Sequence, residues 1–94
     1  MIVIREFFIA KPGQAGKLAA MIKDVMSDSK DDVRIMTDLA GEFNKVVMET
    51  TLADLAAFEA RMKEYSTNQA MRDKMKGYTD LWVSGGREIY RLVE

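Results

Sequence analysis

Apolar and polar residues alternate along residues 33–39 and 45–52, which predicts two β-strands with one covered face each. The Gly41-Glu42 pair between them predicts a two-residue type II′ turn, because that turn has glycine at its first central position. The two strands are therefore expected to form a hairpin with a defined register.

The position of this turn sets the register of the hairpin. It places Arg34 opposite Glu49 and Asp38 opposite Lys45, so both pairs join opposite charges on one face of the strands. A shift of the register by two residues separates both pairs. The sequence therefore predicts two cross-strand ion pairs on the charged face of the hairpin.

Residue type and spacing predict two further strands and two helices. β-Branched and aromatic residues over 2–9 predict a first strand, and a similar run over 87–93 predicts a last one. Apolar residues at helical spacing predict a first helix over 13–27. A short helix is predicted over 68–76, and it ends at Gly77 because glycine favours the residue after a helix.

Another helix is predicted ahead of the short one, from its start signal and its apolar stripe. The run from Thr51 to Asp54 resembles a capping box with aspartate at the usual glutamate position. The helix is therefore expected to start at this box. Its apolar stripe consists of Leu55, Phe58, Met62 and Tyr65.

The order of the main elements is β-α-β-β-α-β, which predicts an α+β fold of the ferredoxin-like type. One domain is expected to span residues 1–94, because the chain is long enough for one hydrophobic core only. In this sandwich the antiparallel sheet has the strand order 4-1-3-2 and both helices pack on one face. Each crossover is expected to be right-handed.

The first and last strands carry apolar residues on both faces, unlike the hairpin strands. Strands of this kind are normally covered on both sides, whereas the helices cover only one. We therefore predict a homodimer in which two sheets pack face to face; the alternative is a monomer with an apolar surface. The residues concerned are Ile2, Val3, Ile4, Phe7, Phe8, Ile9, Ile89, Tyr90, Leu92 and Val93.

The chain contains no histidine and no cysteine, and these two absences exclude several kinds of chemistry. Without cysteine there is no thiolate nucleophile and no zinc-finger ligation. Without histidine there is no histidine-containing triad and no histidine ligand for haem or zinc. A metal site would need oxygen ligands alone, and no calcium-loop spacing is present. We therefore expect no metal and no cofactor.

Charged residues of both signs are interleaved along the chain. Lys and Arg number 14 and Asp and Glu number 15, so the formal net charge is −1. A nucleic-acid partner usually requires a clustered basic excess, so none is expected. The sequence contains neither a transmembrane run nor a signal segment, so a cytoplasmic protein without a membrane partner is expected.

Two segments of the chain are similar to the dimeric α/β-barrel superfamily. One is IAKPG at residues 9–13, followed by GKL at 16–18. The other is the ending GGREIYRLV at residues 85–93, which resembles the final strand of the NIPSNAP-like branch in particular. The antibiotic-biosynthesis-monooxygenase-like branch is the second branch that the chain resembles.

This resemblance implies a barrel-like homodimer with a ligand pocket in each subunit, between the helices and the sheet. The superfamily includes cofactor-independent monooxygenases, haem-degrading monooxygenases and isomerases. The chain departs from the haem-degrading members because it has no histidine to bind iron. Those enzymes use an Asn–Trp–His catalytic set, which the chain does not match. The presence of Trp82 alone does not indicate their activity.

Two charged residues in the first and last strands, Glu6 and Arg91, are candidates for the pocket. Glu6 is expected to pair with Arg87 or Arg91 in the neighbouring last strand, because an isolated charge among apolar residues is unfavourable. The functional alternative makes Glu6 a base and Arg91 an anchor for an anion.

Aromatic residues in the second half of the chain are further candidates. Tyr65, Tyr78, Trp82 and Tyr90 would either line an aromatic pocket or belong to the core and interface. The eight methionines would either fill the core or form an adaptable apolar pocket.

These patterns predict a protein that binds a small apolar or aromatic molecule. The candidate pocket residues are Glu6, Tyr65, Tyr78, Trp82 and Arg91. One alternative is a cofactor-independent monooxygenase acting on a phenol or quinol, and another is a structural or regulatory assembly domain without a pocket. A cavity between helices and sheet distinguishes the first two functions from the third.

Overall fold

A four-stranded antiparallel sheet with helices on one face forms the fold in the computed structural model, which describes residues 1–94. The strand order is β2-β3-β1-β4, as the ferredoxin-like prediction requires. No helix has both the length and the apolar character needed to cross a bilayer. The elements are β1 (Ile2–Ala10), α1 (Ala15–Val25), β2 (Val33–Thr37), β3 (Lys45–Leu52), α2 (Leu55–Thr67), α3 (Gln69–Lys74) and β4 (Trp82–Arg91).

The hairpin of β2 and β3 has the predicted register, but its turn differs. Arg34 lies opposite Glu49, and the two side chains form an ion pair at 2.5 Å. The regular ladder ends at Thr37, because the carboxylate of Asp38 accepts the backbone N–H of Lys45 at 3.0 Å. A loop over residues 38–44 therefore replaces the predicted two-residue turn.

The predicted ion pair between Asp38 and Lys45 is consequently wrong. The Asp38 carboxylate is occupied by the backbone N–H, while the Asp38 backbone donates to the Lys45 carbonyl at 3.1 Å. The ammonium of Lys45 lies 4.7 Å from the centre of the Phe7 ring instead, which is a cation–π distance.

The last strand begins five residues before the predicted start, at Trp82 in place of Arg87. Gly85 and Gly86 are typical of a turn by sequence, yet they pair with Phe8 and Phe7 of β1. A Cβ on Gly85 would lie 2.6 Å from a backbone oxygen of β1, and one on Gly86 would lie 2.8 Å from the Phe7 ring. The two glycines therefore allow β4 to lie close to the backbone and the Phe7 ring of β1.

A Gly85→Ala substitution is expected to destabilise the chain by about 1–3 kcal/mol, because its methyl group would overlap backbone that cannot rotate away. Gly16→Ala is the matched control: Gly16 lies in α1 with open space around it, so alanine should stabilise the chain by up to about 1 kcal/mol. Urea unfolding measures both changes. Equal stability of Gly85→Ala and the wild type would contradict this packing.

The helix starts differ in part from the predictions. Asp54 caps α2 by accepting the backbone N–H of Ala57 at 2.9 Å, whereas Thr51 belongs to β3, so the predicted capping box is wrong. Thr51 pairs with Val3 of β1, so it continues the strand and does not start the helix. Asn68 caps α3, and Gly77 follows that helix with a φ of 86°, the left-handed conformation that glycine favours.

The core is small and lies on the helix-covered side of the sheet. Only nine of the 94 residues are buried, so much of the apolar surface of the chain stays exposed. Its central cluster consists of Ala10, Leu18, Ile22, Val46 and Leu81. The shortest dimension of the chain is 19 Å, which corresponds to one sheet and one layer of helices.

Candidate functional site

Strand alternation decides which residues of β1 face the helices. Glu6 and Phe8 point to the helix side together with their partners Met48 and Val46 of β3. Arg5 lies on the opposite, open face of the sheet. The side of β1 that carries Glu6 therefore contributes to the space between sheet and helices.

A cleft of about 290 Å³ occupies part of this space. Of its 13 lining residues, ten are hydrophobic, so its walls are mainly apolar. Three charged side chains also line it: Glu6 of β1, Arg72 of α3 and Arg87 of β4. Five of its wall residues are methionines, namely Met26, Met48, Met62, Met71 and Met75.

An ion pair between Glu6 and Arg87 forms the polar part of the cleft wall. The two residues are direct cross-strand neighbours, and Nε of Arg87 donates to the carboxylate at 2.8 Å. The guanidinium also lies 5.1 Å from the centre of the Phe58 ring and 4.0 Å from Sδ of Met62. Strand pairing and contacts with α2 thus hold this group in place.

Tyr65 lies at the boundary between the cleft and a second, more polar groove of about 710 Å³. Burial raises the pKa of the Tyr65 phenol, with the nearby Asp31 carboxylate adding to the effect. The phenol is therefore neutral near pH 7 and can donate a hydrogen bond. Val25 and Met71 also line both cavities, so the groove adjoins the cleft.

A bidentate ion pair fixes the helix that carries Tyr65. Arg61 of α2 donates to the two carboxylate oxygens of Asp31 at 2.6 and 3.0 Å. Hydrogen bonding from Arg61 holds the pKa of Asp31 below its usual value. This contact ties α2 to the segment between α1 and β2, and so fixes the wall between groove and cleft.

Aromatic side chains support the far end of the cleft. Tyr78 and Phe8 line it, and the Trp82 ring lies behind them at centroid distances of 6.2 and 5.7 Å. The Nε1 atom of Trp82 is buried without a hydrogen-bond partner. Trp82 therefore packs against the wall residues and is not itself part of the cleft surface.

Several solved structures resemble this fold. An uncharacterised NIPSNAP domain protein from Burkholderia xenovorans has a TM-score of 0.86 at 12% identity, over 99% of this chain and 95% of that chain. A NIPSNAP family protein from Agrobacterium tumefaciens has a TM-score of 0.85 at 12% identity, over 99% of this chain and 93% of that chain. The chain shares the fold of NIPSNAP domain proteins.

A protein from Chloroflexus aurantiacus, provisionally named an antibiotic biosynthesis monooxygenase, has the same type of fold. Its TM-score is 0.75 at 12% identity, over 99% of this chain and 93% of that chain. No family profile matches the sequence, and no curated protein matches it significantly. At these identities the structural likeness establishes the fold and leaves the activity to be argued from the site.

The structure brings together three of the five candidate pocket residues. Glu6, Tyr65 and Tyr78 line the cleft, whereas Trp82 packs behind it. Arg91 pairs with Ile2 at the end of the sheet and does not line the cleft. The assignment of functional roles to these residues stays a prediction.

Two cleft arginines were absent from the predicted pocket set. Arg87 was expected only as one of two partners of Glu6, and the strand register now identifies it as the one that pairs. Arg72 belongs to α3, whose position against the sheet depends on tertiary packing. The high methionine content is a further sequence signal for the cleft walls, beside Glu6, Tyr65 and Tyr78.

The open face of the sheet carries a second group of charges. Glu49 is only 9% exposed and forms ion pairs with Arg34 at 2.5 Å and with Arg5 at 3.0 Å. Hydrogen bonds from Arg34 and Arg5 lower the pKa of the Glu49 carboxyl. No three acidic side chains converge anywhere in the structure. Glu49 is therefore paired with two arginines on the open face of the sheet.

Proposed function

We propose that the chain binds a small, largely apolar molecule in the cleft between the sheet and the helices. The observation that supports this proposal is the cleft of about 290 Å³ with apolar walls and one ion pair. An apolar cavity of roughly 150 Å³ accommodates benzene, so this cleft has room for an aromatic ring with a short side chain. Methionine walls adapt to such a ligand without strain.

An assembly domain without a ligand is the function that the cleft favours least. Small domains gain stability when the space between sheet and helices is filled by side chains. Here that space stays open although five methionines surround it. A ligand that occupies the cleft would supply the missing apolar contacts, which supports a binding role.

Calorimetric titration with hydrocinnamyl alcohol, a phenyl ring on a three-carbon chain, tests this proposal. We expect saturable binding of one molecule per chain, with a dissociation constant of roughly 10 µM to 1 mM for a ligand of this size. Absence of saturable binding both by this alcohol and by the corresponding acid, hydrocinnamate, would contradict the proposal.

A cofactor-independent monooxygenase acting on a phenol or quinol is the second candidate. The fold similarity to the Chloroflexus protein and the carboxylate of Glu6 beside an apolar cleft favour it. A quinol supplies all four electrons: one oxygen atom enters the ring to give a hydroxyquinone and the other is reduced to water. Glu6 would accept the proton of the quinol hydroxyl group. The chain would supply the binding site and the base.

Oxygen uptake with a naphthohydroquinone tests this second candidate. A rate at least about tenfold above spontaneous oxidation is expected, and Glu6→Gln should remove most of the increase because the base is lost. A rate equal to that in buffer alone would exclude this activity toward naphthohydroquinones. Arg91→Met, outside the cleft, provides a control variant that retains the carboxylate.

We further propose that a second copy of the chain covers the open face of the sheet. Apolar residues remain accessible there, including Tyr90 at 47% and Met36 at 36% exposure. The same face carries Arg34, Arg5 and Glu49, so charges of both signs are available for a symmetric contact. The resemblance to dimeric α/β-barrel proteins points to the same face-to-face arrangement.

A further inference from the structure

We propose that the ligand of the cleft is a monocarboxylate with an apolar body, whose carboxylate is bound by Arg87 and Arg72. This inference rests on the proposed binding function and specifies the chemical class of the ligand. It is carried by the charge of the cleft wall and by the unused donors of both guanidinium groups.

The charges on the cleft wall do not balance. Glu6 contributes one negative charge, and Arg72 and Arg87 contribute two positive charges, so the wall carries a net charge of +1. The whole chain carries −1, so this positive excess is a local feature. The guanidinium groups of Arg72 and Arg87 both remain accessible, so a bound monoanion can reach them and neutralise this excess.

Both guanidinium groups retain donors for a ligand. Arg87 uses Nε for Glu6 and one Nη2 hydrogen for Met62, which leaves three of its N–H groups without a protein partner. Arg72 uses one N–H for the carbonyl of Ser66 and retains four. A carboxylate is the group that such planar donors bind best, because it can accept two parallel hydrogen bonds.

The groove beside the cleft adds no net positive charge. Its lining residues include Lys30, Arg61 and Lys74, but Arg61 is paired with Asp31 and Lys74 lies close to Asp24 and Asp28. The positive excess is therefore confined to the cleft wall. A doubly charged phosphate would reverse the charge of the cleft, and a neutral alcohol would leave it unbalanced.

Comparison of hydrocinnamate with hydrocinnamyl alcohol tests the inference, since the two ligands share the same apolar body. Calorimetry at pH 7 should show that hydrocinnamate binds at least about tenfold more tightly, as expected for charge-assisted hydrogen bonds. Equal affinities would overturn the carboxylate inference and leave the proposed function standing. Failure of both ligands to bind would overturn both.

Substitution of Arg87 tests whether this residue is responsible for the tighter binding of hydrocinnamate. Arg87→Met keeps the methylene groups and should reduce the affinity for hydrocinnamate by about tenfold or more, while alcohol binding changes little. Arg91→Met is the matched control on the same strand and outside the cleft, and it should leave both affinities unchanged. Equal losses in the two variants would overturn the assignment.

Glu6→Gln gives a change in the opposite direction. It removes the carboxylate that competes for Nε of Arg87, so hydrocinnamate should bind more tightly than to the wild type. The double variant Glu6→Gln/Arg87→Met contains no unpaired carboxylate, so it tests the loss of the guanidinium even where Arg87→Met alone is unstable. Weaker binding of hydrocinnamate to Glu6→Gln than to the wild type would overturn the inference.

Discussion

A Met71→Trp variant is expected to lose at least about tenfold in affinity for hydrocinnamyl alcohol while the chain remains folded. Met71 lies on α3 and lines both the cleft and the groove beside it. A larger indole at this position would occupy the cleft and block its junction with the groove. Since every residue of α3 except Met71 is exposed, the helix can adjust to the larger side chain with little loss of stability.

Gln69→Trp is the control for this variant. Gln69 lies on the same helix but is exposed and lines neither cavity, and its side-chain amide donates a hydrogen bond to Asp73 at 2.9 Å. Calorimetry should therefore give wild-type affinity for the control. Wild-type affinity in a folded Met71→Trp variant would show that the alcohol binds elsewhere.

A Val47→Lys variant is expected to convert the proposed dimer into a folded monomer. Val47 lies in β3 on the open face, with Phe7 and Met36 as its direct cross-strand neighbours. An unpaired ammonium at the centre of a sheet-to-sheet interface costs several kcal/mol, or a loss of roughly 100-fold or more in dimer affinity. In the monomer the lysine can extend into solvent, so the fold is retained.

Light scattering during size-exclusion chromatography measures this change. The wild type should elute with the mass of two chains, and Val47→Lys with the mass of one. Ala56→Lys adds the same charge at an exposed position of α2 and should remain dimeric. A monomeric wild type at micromolar concentration, or a dimeric Val47→Lys, would contradict the proposed interface.

Local patterns account for the parts of the fold that the sequence predicts well. The opposite charges of Arg34 and Glu49 specify the register of β2 and β3, because a slip by one residue would turn every side chain to the wrong face. Asn68 marks the start of the short helix for a similarly local reason, whereas the helix ends at Lys74, two residues before the end that Gly77 predicts.

Long-range contacts account for the parts that the sequence predicts wrongly. Gly85 and Gly86 are typical of a turn, and only their position against Phe7 explains why they continue β4. The Asp38 side chain ends the hairpin ladder by a hydrogen bond that competes with the backbone pairing, which residue alternation does not reveal.

The charged residues of the cleft also differ in how far the sequence predicts them. A charge in an otherwise apolar strand marks Glu6 as a residue that needs a partner, and this signal is local. The choice between Arg87 and Arg91 depends on the register of β4 against β1, which are distant in sequence. The role of Arg72 depends on how α3 packs, so it follows only from the structure.

Methionine methyl resonances provide the most direct test of ligand binding in the cleft. The chain has eight methionines, and five of them line the cleft. Titration of methionine-methyl-labelled protein with hydrocinnamyl alcohol should shift these five resonances and leave Met1, Met21 and Met36 in place. Absence of saturable shifts, or shifts confined to Met36 on the open face, would contradict binding in the cleft. The resonances expected to shift are those of Met26, Met48, Met62, Met71 and Met75.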